Sequence, residues 1–129
     1  MPFATHLLNW NVGWGLILSA FLTGAVLGLF FDRDGFLGGY GSFRRRLFRL
    51  GHIAQAALGM LNVLYALGPS PASPTWLDQA AGLGFILGGI SMPLVCFLSG
   101  WRAGFRRLFV VPVVALLLAV LCTLRGGLG

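Results

Sequence analysis

Long runs of apolar residues alternate with short polar segments along the whole chain. A hydrocarbon core about 30 Å thick requires roughly 20 residues of α-helix to cross it. Four runs reach or approach that length, at residues 12–31, 50–67, 77–98 and 108–124. The pattern predicts an all-α, polytopic membrane protein. We expect a single integral membrane domain over residues 1–129, folded as a bundle of four transmembrane helices.

The composition of the chain favours the same fold class. Hydrophobic residues make up 57% of the 129 residues, and the mean hydropathy is +0.88. This composition leaves too little polar surface to cover a water-soluble globule, and soluble folds are thereby excluded. No basic segment precedes the first run, and Asp32, Arg33 and Asp34 follow it directly. We therefore expect a membrane span there and not a cleaved signal peptide.

The placement of charge predicts the orientation of the helices. All nine basic residues are Arg, three residues are acidic, and the formal net charge is +6. Eight of the nine arginines lie in two segments, 32–49 and 99–107, which follow the first and third runs. Short arginine-rich loops stay on the cytoplasmic side of a membrane, so we expect both termini outside, in the periplasm. This clustering argues for membrane orientation and against nucleic-acid binding. Arg-only basic usage with abundant Gly, Ala and Leu suggests a bacterial inner membrane.

The two arginine-rich segments are candidate contact surfaces. The sequence FRRRLFRL places arginines among Phe and Leu, a pattern typical of a helix start in the headgroup layer. One interpretation is contact with anionic lipid headgroups. The alternative is docking, in which guanidinium groups bind carboxylates of a partner subunit or an anionic cofactor group such as a haem propionate. The candidate contact residues are Arg44, Arg45, Arg46, Arg49, Arg106 and Arg107.

Small residues at every fourth position predict a groove along two of the helices. Such grooves let helix backbones approach closely inside a membrane. We expect them to pack against other helices of this chain, and the alternative occupants are another subunit, a lipid tail or a pigment. The groove residues are Ala20, Gly24 and Gly28 in the first predicted helix and Ala80, Gly84 and Gly88 in the third.

One face of the second predicted helix carries polar residues. His52, Gln55 and Asn62 share this face with Gly59, because offsets of three, seven and ten residues return to one side of a helix. His52 lies near the cytoplasmic surface, a depth suited to a haem iron ligand or to a hydrogen bond with a quinone carbonyl. A b-type haem commonly takes two histidines, and the only other one, His6, lies at the opposite surface. The interpretations are a site within this chain, a site shared with another subunit, and helix contact with no cofactor, which we expect.

The sequence contains few residues of the types that usually carry out catalysis. It contains no Glu, no Lys and no recognisable catalytic, metal-cluster or nucleotide-binding motif. Acid–base catalysis and proton pumping therefore lack their usual groups. We expect a small non-catalytic subunit or assembly factor that packs against larger proteins in an energy-transducing or transport complex. The alternatives are a redox module that binds haem b or quinone through His52, and a small oligomeric channel or transporter.

Overall fold

The computed structural model describes residues 2–69 and 73–126 of the chain, and every regular element in these two stretches is helical. Four helices are long and apolar enough to span a membrane, which confirms the all-α prediction and the number of spans. They run up and down in alternation, and two 3₁₀ segments, Phe36–Gly38 and Ala103–Phe109, lie between them. The α-helices are α1 (Pro2–Leu29), α2 (Phe43–Leu67), α3 (Trp76–Trp101) and α4 (Val110–Gly126).

α1, α2 and α3 are longer than the apolar runs that predicted them, whereas α4 has the same length as its run. α1 begins at Pro2, ten residues before the predicted span, and α2 begins at Phe43, seven residues before its own. Hydropathy detects only the part of a helix that lies in hydrocarbon, whereas backbone hydrogen bonding continues through polar residues. The start of α2 is capped by Ser42, whose hydroxyl accepts a hydrogen bond from the Arg45 backbone N–H at 3.1 Å. Four of the five arginines of the first segment therefore lie on the first turns of α2, namely Arg44, Arg45, Arg46 and Arg49.

The start of α3 is fixed by a carboxylate. Asp78 Oδ2 accepts hydrogen bonds from the backbone N–H of Thr75 at 2.7 Å and from the Thr75 hydroxyl at 2.8 Å. Negative charge in the first turn is also favoured by the helix dipole. Pro69, Pro71 and Pro74 predict a short and stiff link before α3, and residues 70–72 of this link lie outside the described residues.

Three helices pack against one another, and the fourth packs on one side. α1, α2 and α3 are mutual neighbours, whereas the described backbone of α4 lies against α3 and the 3₁₀ segment before it only. α1 and α2 approach closely at two glycines, because a Cβ on Gly59 would lie 2.9 Å from the Gly13 carbonyl oxygen. α4 sits on small residues of α3, where a Cβ on Gly84 would lie 2.8 Å from the Ala119 Cβ. By backbone contacts the bundle is thus a group of three helices with α4 attached to α3, and the buried apolar cluster of Ala81, Phe85 and Ala119 joins α3 to α4.

The outward faces of the helices are strongly apolar. Phe21 of α1 is 73% exposed, Leu64 of α2 is 64% exposed and Leu117 of α4 is 59% exposed. Apolar surface of this extent is unfavourable in water and is matched by lipid tails. The structure therefore fits a multi-pass membrane protein.

Candidate functional site

His52 and Gln55 lie together between α1 and α2. Gln55 is buried, its Nε2 donates to the Ser19 hydroxyl at 3.0 Å, and its Oε1 accepts from the Thr23 hydroxyl at 2.7 Å. His52 Nδ1 lies 3.2 Å from the same Thr23 oxygen. These contacts join α2 to α1. The sequence prediction missed Ser19 and Thr23, although their spacing of four residues places both hydroxyls on one face of α1.

The hydrogen bonds favour one arrangement of protons in this cluster. The Ser19 hydroxyl donates to the Leu16 carbonyl oxygen at 2.8 Å, so it accepts from Gln55. The Thr23 hydroxyl lies near Gln55 Oε1 and the carbonyl oxygens of Ser19 and Ala20, and when it donates to any of these it accepts from His52 Nδ1. A neutral imidazole with its proton on Nδ1 carries its lone pair on Nε2. That nitrogen makes no hydrogen bond within residues 2–69 and 73–126.

The described residues bring no second histidine to His52. His6 lies at the other end of the bundle, where its Nδ1 is 3.1 Å from the Ala66 carbonyl oxygen. The His52 ring packs over α1, because a Cβ on Gly24 would lie 2.7 Å from the ring Cε1. No group of three His, Cys, Asp or Glu side chains in the described part of the chain could hold a metal ion. A haem with two histidine ligands, one of them His52, would therefore need the other histidine from another chain.

Asn62 belongs to a separate, buried cluster that joins three helices. Asn62 Oδ1 accepts from Asn9 Nδ2 at 3.0 Å, and Asn62 Nδ2 donates to the Phe85 carbonyl oxygen at 3.0 Å. Asn9 Nδ2 also donates to the Gly82 carbonyl oxygen at 3.1 Å. Both amides are fully buried. The predicted face of His52, Gln55 and Asn62 thus serves two interhelical clusters, and Asn9, which precedes the first apolar run, was missed.

The two arginine-rich segments meet at one end of the bundle. Arg44 Nε donates at 2.9 Å to the carbonyl oxygen of Gly100, which lies 56 residues away at the end of α3. The Arg106 guanidinium lies 5.4 Å from the Phe43 ring centroid. Cationic groups near the last carbonyl groups of a helix are favourable. The segments form one surface, here called the basic surface, whose exposed arginines are Arg33, Arg44, Arg46, Arg49, Arg102, Arg106 and Arg107.

Arg45 is buried beneath the basic surface. It is 2% exposed, and its Nη2 donates to the Phe31 carbonyl oxygen just beyond the end of α1. Its guanidinium lies 5.1 Å from the Phe31 ring centroid and 4.8 Å from that of Tyr40. Cation–π contacts of this kind strengthen when the cation is desolvated. Arg45 was predicted to be a contact residue, whereas the structure directs it inward and leaves Arg44 and Arg46 exposed.

Comparison with known proteins gives no relative. No family model, no curated protein and no solved structure matches this chain.

Three of the four candidate groove glycines face other helices of this chain. Gly24 faces α2, and Gly84 and Gly88 face α4. Gly28 is exposed, and a Cβ there would have nothing within 4 Å. Packing within the chain thus accounts for Gly24, Gly84 and Gly88, and leaves Gly28 open beside the basic surface.

Replacement of Arg45 by Gln is expected to lower the free energy of unfolding by about 1.5 kcal/mol, because it removes the cation from its aromatic rings and weakens the bond to the Phe31 carbonyl group. Arg46→Gln is the matched control. Arg46 is exposed, so its replacement should change the free energy of unfolding by less than about 0.5 kcal/mol. Both values are measured by unfolding in the same detergent. Equal effects of the two substitutions would contradict a structural role for Arg45.

Proposed function

We propose that the protein is a small non-catalytic subunit or assembly factor that packs against larger proteins in a membrane complex. The observation that carries the proposal is the basic surface. Seven exposed arginines from two distant segments lie at one end of the bundle, with only Asp32 and Asp34 as exposed acidic residues there. Arginine binds carboxylates through two parallel N–H bonds, which gives a partner with acidic residues a specific site.

The packing of the helices supports the same function. The polar side chains of His52, Gln55 and Asn62 bond to neighbouring helices, and their geometry suits structural contact more than catalysis. α4 is held by α3, and its other faces are exposed and apolar, as Val114 and Leu118 illustrate. A helix of a larger protein could lie against these faces.

The proposal includes an orientation and a location. The basic surface lies on the cytoplasmic side of a bacterial inner membrane, and both described ends of the chain lie on the periplasmic side. The excess of arginine at one end supports this arrangement. At the opposite end Trp76, the first residue of α3, is exposed, as expected for a side chain in a headgroup layer.

Removal of charge from the basic surface tests the proposal. We expect the wild-type protein to co-purify with a larger membrane protein at a fixed ratio when its native membrane is dissolved in mild detergent. The double substitution Arg46→Gln and Arg107→Gln should reduce that recovery at least tenfold, equivalent to about 1.4 kcal/mol. Five of the seven exposed arginines remain in this variant, so the charge bias that sets orientation is kept.

Lysine at the same two positions is the matched control. Lys preserves the attraction to anionic headgroups but not the paired bonds to a carboxylate. Partial loss of the partner with Arg46→Lys and Arg107→Lys would support docking on carboxylates. Full retention of the partner by the Gln variant, or the absence of a partner from the wild-type sample, would overturn the proposal.

A haem b or quinone site shared with a second subunit is the second candidate function. The unbonded Nε2 of His52 favours it, because the Thr23 contact to Nδ1 orients the ring and leaves one nitrogen available. The absorption spectrum of the same purified sample tests this candidate. A haem band that His52→Ala abolishes and His6→Ala preserves would establish it, and a sample without such a band would exclude haem.

A further inference from the structure

A cavity of about 590 Å³ lies at the end of the bundle opposite the basic surface. α2 and α4 form its walls, α3 lies between them, and α1 contributes His6. Small-molecule sites in proteins commonly have volumes between about 300 and 1,000 Å³. Most of the wall is apolar, with Leu64, Leu77 and Ala81 among the lining residues. None of the groups that carry the proposed function lies here.

Three polar side chains at the cavity have a donor or acceptor group that no described residue uses. Asp78 uses Oδ2 to cap α3, and its Oδ1 accepts no hydrogen bond from a described residue. Arg125 lines the cavity and forms no ion pair or hydrogen bond with the described part of the chain. His6 donates from Nδ1 to the Ala66 carbonyl oxygen at 3.1 Å, so a neutral His6 keeps an acceptor on Nε2.

The two charged side chains border the same part of the cavity. Gly126 follows Arg125 directly, and a Cβ on Gly126 would lie 3.3 Å from Asp78 Oδ1. The end of α4 is therefore next to the Asp78 carboxylate. A ligand group that carries one negative and one positive charge, separated by a short linker, could bind both side chains at once.

The cavity lies at the ends of the helices, and this position indicates its depth in the membrane. Its residues come from the last turns of α2 and α4 and from the first turns of α3. Trp76, at the start of α3, is 73% exposed, as is typical of a side chain at the headgroup layer. The apolar lining comes from Leu64 of α2 and from Leu77 and Ala81 of α3, and Leu64 is also exposed toward hydrocarbon. A ligand that fits has a charged head and an apolar body.

We propose that this cavity binds a phospholipid whose headgroup carries a primary ammonium group, as in phosphatidylethanolamine. The phosphate binds Arg125, the ammonium group donates to Asp78 Oδ1 and His6 Nε2, and an acyl chain lies between α2 and α4. A choline headgroup has no N–H to donate to Asp78. A glycerol headgroup has no positive charge and leaves the Asp78 carboxylate beside a phosphate. The site is independent of the proposed function.

Lipid binding to the delipidated protein tests the site. Phosphatidylethanolamine, phosphatidylcholine and phosphatidylglycerol with identical acyl chains are added, and bound lipid is counted by native mass spectrometry. Lipid bound at the basic surface is common to the wild-type protein and to Arg125→Gln, so the binding that Arg125→Gln removes is compared, and we expect it to be at least fivefold tighter for phosphatidylethanolamine than for the other two. Equal binding of the three lipids would overturn the proposal. Soluble glycerophosphoethanolamine, which has the headgroup but no acyl chains, tests whether the cavity binds a lipid or a free headgroup compound. If it binds as tightly as phosphatidylethanolamine, the lipid proposal is overturned.

Variants assign the binding to this cavity. Arg125→Gln and Asp78→Asn should each weaken phosphatidylethanolamine binding about tenfold, whereas Arg102→Gln at the opposite end should leave it unchanged. Asn retains an oxygen that can accept from the Thr75 backbone N–H, so the start of α3 stays capped. If Asp78→Asn nevertheless unfolds the protein, Arg125→Gln alone decides, because that side chain has no described partner in the fold. Unchanged binding with Arg125→Gln would contradict the site.

Discussion

Gly59→Leu is expected to lower the free energy of unfolding by about 3 kcal/mol, since it forces α1 and α2 apart. A Cβ at Gly59 would lie 2.9 Å from the Gly13 carbonyl oxygen and 3.1 Å from the Ile17 backbone nitrogen. Both neighbours are backbone atoms, so no side-chain rotation relieves the overlap. The hydrogen bonds of Ser19 and Thr23 to α2 should be lost with the same displacement. The measurement is reversible unfolding in mixed detergent micelles.

Gly15→Leu is the control for this substitution. Gly15 is exposed on α1, and a Cβ there would have nothing within 4 Å. The same change of glycine to leucine should therefore alter the free energy of unfolding by less than about 0.5 kcal/mol, or raise it slightly through better helix propensity. A Gly59→Leu protein as stable as the Gly15→Leu protein would mean that α1 and α2 do not meet at Gly59.

Asn62→Leu is expected to cost about 2 kcal/mol. The substitution removes the bond from Asn9 and the donor to the Phe85 carbonyl oxygen, and it leaves those groups buried with fewer partners. Hydrogen bonds between membrane helices average about 0.6 kcal/mol each, so most of the expected cost comes from the polar groups left unpaired. Asn11→Leu, an exposed Asn on α1, should cost less than about 0.5 kcal/mol.

A double-mutant cycle separates this contact from other effects. If Asn9 and Asn62 act as a pair, the cost of Asn9→Leu with Asn62→Leu should be smaller than the sum of the single costs by about 1 kcal/mol. Strict additivity would show that the two amides contribute independently, against the 3.0 Å bond between them.

The spans were predictable from the sequence because lipid imposes a length and a composition on any helix that crosses it. The shared face of His52, Gln55 and Asn62 was predictable for the same kind of reason, since helix periodicity alone sets it. Their partners were not. Thr23 and Asn9 are single polar residues on another helix, and the rotation and axial shift between two helices decide whether they meet.

The inward direction of Arg45 could not be predicted from the sequence, because Arg44 and Arg46 flank it. Three consecutive arginines look alike, but successive residues on a helix point about 100° apart. The structure directs Arg45 toward Phe31 and Tyr40, and leaves Arg44 and Arg46 at the surface. Composition and charge therefore predicted a basic end of the bundle, and only the fold separated its structural arginine from the exposed ones.

The small residues of α3 predicted that another helix packs against it, but they did not predict that this helix is α4. Grooves lined by Gly84 and Gly88 admit any helix with a small or flexible side chain in register. The cavity beside Asp78 and Arg125 was invisible in the sequence, because these residues lie 47 positions apart and meet only when α3 and α4 pair.

The mass of the particle extracted from the native membrane tests the subunit proposal most directly. Native mass spectrometry in mild detergent should find this 13.8 kDa chain at a fixed ratio with at least one larger membrane protein. A particle made of this chain alone, as a monomer or as a whole-number multiple of its mass after lipid and detergent are removed, would contradict the proposal.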